Sequence, residues 1–134
     1  MTAIVDASVL VAALADSGPT GVWSGSGSAA KILIGPELVL VETSNILRRL
    51  ERTGELSRLE ATTACRGLHR LELTLFPFAP FATRVWKLRG SLTGHDTWYV
   101  ALAEALGGAL NTLDRKLARG ATGPRCDAIV SPRP

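Results

Sequence analysis

The sequence has few cysteines, and their placement excludes the sites that cysteine usually builds. There are two in 134 residues, Cys65 and Cys126, which stand far apart and show no CxxC spacing. The two histidines, His69 and His95, are not paired either. Zinc sites and disulfide frameworks need closely spaced ligands or several cysteines. We therefore expect two buried thiols and no zinc site or disulfide scaffold.

Long hydrophobic runs are also missing. The longest stretches, such as 9–15 and 99–103, are far shorter than the roughly 20 residues of a membrane-spanning helix. No basic region precedes the first apolar run, which already contains Asp6, so the start does not resemble a secretory signal. We therefore expect a cytoplasmic protein without a membrane segment.

The overall composition is that of one globular domain. A chain of 134 residues and 14.2 kDa fits a single hydrophobic core spanning 1–134. With 46% hydrophobic and 20% charged residues, it can bury enough apolar surface to fold. The net charge of +3 and pI of about 9.3 permit a polyanionic partner without demonstrating one.

Short strand-like segments alternate with segments of helical periodicity. The strand candidates are 2–6, 31–34, 73–78, 109–113 and 126–131. The helix candidates follow Ser8, run from Pro36 to Arg52, from Ser57 to His69, from Pro80 to Gly90 and from Asp96 through 106, and cover 115–120. The glycine-rich segment 17–28 is typical of a loop. This alternation predicts a three-layer α/β/α fold with a central, mostly parallel sheet.

Four carboxylates fall where such a fold gathers ligands. Asp6 and Asp114 follow strands, and Glu42 and Asp96 lie on helices that can lean over the same edge. In open parallel sheets, ligands bind outside the carboxyl ends of the strands. Phosphodiester hydrolysis needs an activated water and neutralised charge, and a hard cation held by oxygen ligands supplies both. The four acids therefore predict a metal-dependent hydrolytic site.

Each acid also has a structural interpretation. Asp6 and Asp114 could each cap the helix that follows, Glu42 could be a solvated helix residue, and Asp96 could be an acid favoured by the helix dipole. Glu104, further along the helix of Asp96, is interpreted as a supporting or structural residue.

Three segments carry a resemblance to a known family. They are IVDASVLVAAL, PELVLVETSNILRRL and LTGHDTWYVALAEALGGALNTLDRKLA, in that order. The sequence resembles the PIN-domain ribonucleases, and within them the VapC toxins of bacterial toxin-antitoxin pairs. The resemblance covers nearly the whole chain, and it places the family's acids on Asp6, Glu42, Asp96 and Asp114, the last within a TxD motif beginning at Thr112.

The resemblance implies an endoribonuclease that cuts single-stranded or loop RNA with Mg²⁺ or Mn²⁺. We expect Asp6 and Asp96 to ligate the metal and Glu42 and Asp114 to position the attacking water. The residues expected to support these acids by hydrogen bonding or orientation are Ser8, Asn45 and Thr112. The resemblance also implies a VapB-type antitoxin and a homodimer.

Two features depart from the family pattern. His95 stands where the family often has tyrosine, which bears on substrate fit or pH response. The glycine-rich segment 21–28 stands where the family generally has a second helix.

A basic surface surrounds the predicted site. If four of the 12 acids line one pocket, 15 basic residues remain against eight acidic ones. This excess suits a phosphate backbone, although arginines at helix ends are often solvated ion-pair partners. The candidate RNA-binding residues are Arg48, Arg49, Arg115, Lys116 and Arg119.

Two other classes of protein remain as alternatives. A receiver-type regulatory domain also clusters acids at strand ends, but it would need adjacent acids after the first strand and a lysine after the last. Here those positions carry Asp6-Ala7-Ser8 and Ser131-Pro132. A non-catalytic RNA-binding module is the other alternative.

Overall fold

The computed structural model describes residues 2–15, 32–90, 92–121 and 128–130. The glycine-rich segment, Lys31, Cys126 and the end of the chain therefore lie outside the described residues. The described residues contain five strands: β1 (Thr2–Val5), β2 (Ile32–Pro36), β3 (Leu73–Phe76), β4 (Ala109–Thr112) and β5 (Ala128–Val130).

Six α-helices lie between or after these strands in the described ranges. They are α1 (Ala7–Ala15), α2 (Val39–Arg52), α3 (Arg58–Arg70), α4 (Ala82–Lys87), α5 (Gly94–Leu106) and α6 (Arg115–Ala121), with a 3₁₀ turn at Ala79–Phe81. None of the helices placed there is long and apolar enough to cross a membrane.

The strands form one sheet in the order β3-β2-β1-β4-β5, and every neighbouring pair is parallel. From β1 the chain adds β2 and β3 on one side, and then returns to add β4 and β5 on the other. The strand order therefore reverses between β1 and β4. In doubly wound sheets, ligands bind at the crevice outside this reversal.

The helices pack in two groups. Helices α1, α2 and α3 contact one another, whereas α5 contacts α4 and lies against β1, β2 and β4. The main core joins the strand residues Ile4, Val5 and Leu110 with Leu10 of α1 and Leu102 of α5, all of them at most 1% exposed. The predicted three-layer α/β fold is confirmed.

Several predicted boundaries and burial states were wrong. The second strand does not stop at residue 34. Gly35 and Pro36 continue it and pair with β3, and α2 begins only at Val39. A Cβ at Gly35 would approach the Val39 side chain to 3.1 Å, so glycine fits this close turn. The strand expected to reach Phe78 ends at Phe76. Cys65 is only partly buried.

Candidate active site

Asp6 lies directly after β1, at the point where the strand order reverses, and its side chain is 5% exposed. Three donors hold its carboxylate. Ser8 Oγ donates to Oδ1 at 2.6 Å and the Val9 backbone N–H donates to the same oxygen at 3.1 Å. Thr112 Oγ1 donates to Oδ2. The predicted supporting residues Ser8 and Thr112 thus contact the acid that they were expected to support.

Burial raises the pKa of Asp6 above its ordinary value, because a charged carboxylate loses hydration inside the protein. The hydrogen bonds from Ser8, Thr112 and the Val9 backbone act in the opposite direction, and the nearby charge of Asp114 raises the pKa again. Burial is the largest of these effects, so the pKa of Asp6 is raised overall.

Ser8 and Thr112 also join the ends of two elements. Thr112 Oγ1 accepts a hydrogen bond from the Asp114 backbone N–H at 2.9 Å, and Ser8 Oγ accepts one from the Leu113 N–H at 3.0 Å. Each hydroxyl therefore donates to Asp6 and accepts from the chain that follows β4. The turn that carries Asp114 is fixed relative to Asp6 by these two hydroxyls.

Glu42 reaches the site from the first turn of α2 and is partly buried. The Tyr99 hydroxyl donates to its Oε1 at 3.1 Å. Burial raises the Glu42 pKa, the Tyr99 hydrogen bond and the proximity of His95 lower it, and the charges of Asp6 and Asp96 raise it. Glu42 is therefore close enough to both aspartates to interact with their charges.

Asp96 lies in the first turn of α5 and is partly exposed. Thr93 caps this helix, and its Oγ1 accepts from the Asp96 backbone N–H at 3.3 Å. The helix N-terminus carries partial positive charge, which favours a carboxylate there. The cap uses the Asp96 backbone N–H. The charge of the Asp96 side chain acts on Glu42, whose pKa it raises.

Asp114 both caps a helix and acts on Asp6 through its charge. Its Oδ1 accepts from the Lys116 and Leu117 backbone N–H groups at 2.9 and 3.1 Å, which makes it the cap of α6. Its charge also acts on Asp6. The capping interpretation is thus correct in geometry, and it does not remove Asp114 from the acidic cluster, because the carboxylate is exposed.

The four predicted acids, called the acidic cluster, are linked by their charges in a chain of neighbours. Asp114 acts on Asp6, Asp6 acts on Glu42, and Glu42 is influenced by Asp96. Across the described residues, no three aspartate, glutamate, histidine or cysteine side chains converge closely enough to form a complete protein ligand set for a metal. Magnesium usually takes one or two carboxylates and completes its coordination with water. The oxygen donors present fit such an ion.

The predicted RNA-binding residues occupy two places. Arg48 and Arg49 are exposed on α2, where they line a depression of about 330 Å³ together with Ile46, Arg52 and Asn45, the exposed residue predicted to support the acids. Arg49 also lines a second cleft of about 580 Å³ that includes Ser8 and Leu113. It therefore connects the arginine-lined depression to the surroundings of Asp6.

The second group of basic residues lies on α6. Arg115, Lys116 and Arg119 are exposed on this helix, which begins directly after Asp114. Both basic groups thus share an element or a boundary with one of the acids.

Two further residues complete the description. Glu104 forms a two-pronged ion pair with Arg84, with Oε2 and Oε1 at 2.7 and 3.0 Å from Nε and Nη2, which favours the structural interpretation of Glu104. Tyr99 was missed as a site residue. Its position three residues after Asp96 on the same helix was the available signal, because residues three apart share a helix face.

Comparison with known proteins shows the family of the chain. The sequence-family model of the PIN domain matches residues 3–122 of this chain. Ribonuclease VapC9 of Mycobacterium tuberculosis is 37% identical over 131 residues, which cover 97% of this chain and 98% of that protein.

Two solved structures are similar in fold. PAE2754 of Pyrobaculum aerophilum has a TM-score of 0.68 at 22% identity, covering 95% of this chain and 83% of that one. VapBC2 of Rickettsia felis, solved with a DNA fragment from its promoter, has a TM-score of 0.66 at 14% identity, covering 97% and 98%.

Proposed function

The chain belongs to the PIN-domain family, as a relative of the VapC ribonucleases, and on this premise we propose that it is the toxin of a toxin-antitoxin pair. In this proposal it hydrolyses phosphodiester bonds of RNA. The observation that carries the proposal is the buried Asp6 carboxylate at the reversal of strand order, held by Ser8 and Thr112, with the charges of Asp114 and Glu42 near it and that of Asp96 near Glu42. Nothing in ordinary fold stability requires four acids to approach one another, since like charges repel.

A divalent cation, Mg²⁺ or Mn²⁺, is the cofactor that we propose for this cluster. Asp6 and Asp96 would hold it through carboxylate oxygens, which are the ligands that hard cations prefer. The ion would supply charge neutralisation at the phosphate and lower the pKa of a bound water. The raised pKa values of Asp6 and Glu42 are consistent with a site that gains from added positive charge.

The other side chains have distinct proposed tasks. Glu42 and Asp114 orient the water that attacks the phosphorus and accept its proton. Ser8 and Thr112 fix the rotamer of Asp6 by donating to its two oxygens. Asn45, one turn after Glu42 on α2, would orient the acids.

The basic residues on α2 and α6 are proposed to hold the RNA backbone. The members of this set are Arg48, Arg49, Arg115, Lys116 and Arg119. Contacts with phosphate position a nucleic acid without reading its sequence. One group shares a helix with Glu42 and the other follows Asp114 directly, so together they can hold a strand near the carboxylates.

The partners that we propose follow from the family. A VapB-type antitoxin would block the site by occupying the acidic cluster, and the chain would form a homodimer. The similar structure of VapBC2 contains both components of such a pair. We also propose that the protein acts in the cytoplasm, where its RNA substrate is present.

The direct test is cleavage of RNA by purified protein with added Mg²⁺ or Mn²⁺. Wild type should produce discrete fragments, EDTA should stop the reaction, and Asp6→Asn should reduce the rate by at least a hundredfold. Equal rates for wild type and Asp6→Asn would refute the assignment. RNA binding by wild type without any cleavage would instead support the non-catalytic RNA-binding alternative.

A further inference from the structure

Tyr99 is the one tyrosine of the chain, and its side chain is 2% exposed in the middle of α5. Its ring is part of the main core, but its hydroxyl points to polar neighbours. The hydroxyl donates to Glu42 Oε1 at 3.1 Å and also lies near the backbone of Ala7. A buried phenol needs a hydrogen-bond partner. Burial in the core does not explain why that partner is Glu42.

The hydrogen-bond partner of the Tyr99 hydroxyl and its Ala7 neighbour belong to different parts of the acidic cluster. Ala7 begins α1 directly after Asp6, and Glu42 lies on α2. The same helix that carries Tyr99 also carries Asp96 one turn earlier. The hydroxyl therefore joins the helix of Asp96 to Glu42 close to the segment of Asp6, and it holds a carboxylate that like charges would otherwise push away.

We propose that Tyr99 is a positioning residue that holds the Glu42 carboxylate next to Asp6 through its hydroxyl. This inference rests on the proposed ribonuclease function, because it concerns the orientation of an acid in that reaction. A phenol is a suitable holder for this purpose. It stays neutral at ordinary pH, so it donates a proton to Glu42 without cancelling its negative charge.

The orientation of Glu42 has few other determinants among the described residues. The carboxylate is at the end of a flexible side chain on an amphipathic helix, and the Tyr99 hydroxyl donates a hydrogen bond to it. A glutamate that loses this donor can adopt other rotamers toward solvent, since it is only partly buried. Removal of the hydroxyl should then lower the fraction of molecules that can react, while RNA binding is preserved.

The experiment compares wild type with Tyr99→Phe, which removes the hydroxyl and keeps the buried ring. We expect kcat for RNA cleavage to fall about tenfold, which corresponds to about 1.4 kcal/mol of activation free energy, with KM changed by less than twofold. Circular dichroism and Tm establish that the variant is folded. A kcat within twofold of wild type would overturn the proposal.

Thr43→Val is the matched control. Thr43 is fully buried on α2 beside Glu42, and its hydroxyl donates to the Val39 backbone carbonyl at 2.7 Å without contacting an acid. It also loses one buried hydroxyl, so its stability should fall in a similar way, whereas its kcat should stay within twofold of wild type. An equal loss of kcat in both variants would show that general destabilisation is responsible and would overturn the role of Tyr99.

A spectroscopic measurement tests the contact without RNA. Protein labelled with ¹³C at the tyrosine Cζ gives a single tyrosine resonance, and Glu42→Ala should shift it because the acceptor is lost. An unchanged resonance would contradict the hydrogen bond itself. If wild type fails to cleave RNA, the proposed function fails and the role of Tyr99 in it fails too. If wild type is active and Tyr99→Phe matches it, only the role of Tyr99 is overturned.

Discussion

Thr112 Oγ1 donates a hydrogen bond to Asp6 Oδ2 across a sequence separation of 106 residues. The contact joins the end of β4 to the end of β1, the two strands between which the order of the sheet reverses. The same hydroxyl accepts from the Asp114 backbone N–H. A single side chain therefore fixes one acid directly and another through its backbone.

Thr112→Val tests this double role. Valine has the shape of threonine without the hydroxyl, so the Asp6 oxygen and the Asp114 N–H both lose a partner in a buried place. We expect the free energy of unfolding to fall by about 1–3 kcal/mol. Residues that orient metal ligands typically contribute 10–100-fold, so the rate of RNA cleavage should fall within that range. Urea unfolding and single-turnover cleavage measure the two effects.

Thr112→Ser is the matched control for this prediction. Serine keeps the hydroxyl and loses only a methyl group, so it should retain most of the cleavage rate. If serine and valine reduce the rate equally, the effect belongs to packing of the methyl group and the hydrogen-bond argument is wrong.

Asp6→Asn should make the protein more stable at neutral pH while it abolishes activity. The pKa of Asp6 is raised in the folded protein, chiefly by burial. The folded state therefore favours the protonated acid, and its ionised form costs stability above the folded pKa. Asparagine removes this cost, and we expect its Tm at pH 7 to be a few degrees higher.

The pH dependence of this difference fixes its sign. As pH falls through the raised pKa of Asp6, wild type takes up the proton and the cost disappears, so the two Tm values should converge toward the ordinary pKa of 3.8. Glu72→Gln, at an exposed position, controls for the loss of one negative charge. A lower Tm for Asp6→Asn than for wild type at pH 7 would contradict the prediction.

The position of the site was predictable because it depends on topology. Alternating strands and helices predict a parallel sheet, and acids that follow strands in such a sheet lie at one edge. Asp6 and Asp114 could be assigned to that edge from their neighbours alone. The helices bring Glu42 and Asp96 to the same edge, but their spacing in the sequence gives only the helix face and not the distance between helices.

Other features needed the tertiary structure. Gly35 and Pro36 resemble a strand end, because both residues usually interrupt regular structure. Here β2 pairs with β1 and β3, and its last residues continue alongside β3, so strand pairing overrides local preference. Tyr99 looked like one more apolar residue in a buried helix. Only the approach of α2 shows that its hydroxyl meets Glu42.

Glu104→Gln should leave catalysis intact. Glu104 shares a helix with Asp96, but both of its oxygens are engaged by Arg84, which lies on α4. Glutamine is uncharged and has only one side-chain oxygen, so it cannot replace the two charged hydrogen bonds with Arg84, and we expect a modestly lower Tm. The cleavage rate should stay within twofold of wild type. Arg84→Gln should have the same effect on Tm. A tenfold loss of rate in Glu104→Gln would instead place Glu104 in the reaction.

Arg49→Gln should weaken RNA binding through one lost phosphate contact. Arg49 is exposed on α2 and lines both the arginine-lined depression and the cleft next to Ser8. Binding is best measured in an Asp6→Asn background, where the RNA stays uncut. Each phosphate contact with a single strand contributes about 0.7 to the slope of log affinity against log salt, so the slope should become shallower by about that amount.

Arg66→Gln is the matched control for Arg49→Gln. Arg66 is exposed on α3, outside the proposed RNA-binding set, and its replacement removes the same charge from the protein. If net charge alone attracts RNA, the two variants should lose affinity equally and show the same salt slope. If the strand crosses the face of α2 beside the acids, only Arg49→Gln should change the slope, because released counterions report local phosphate contacts.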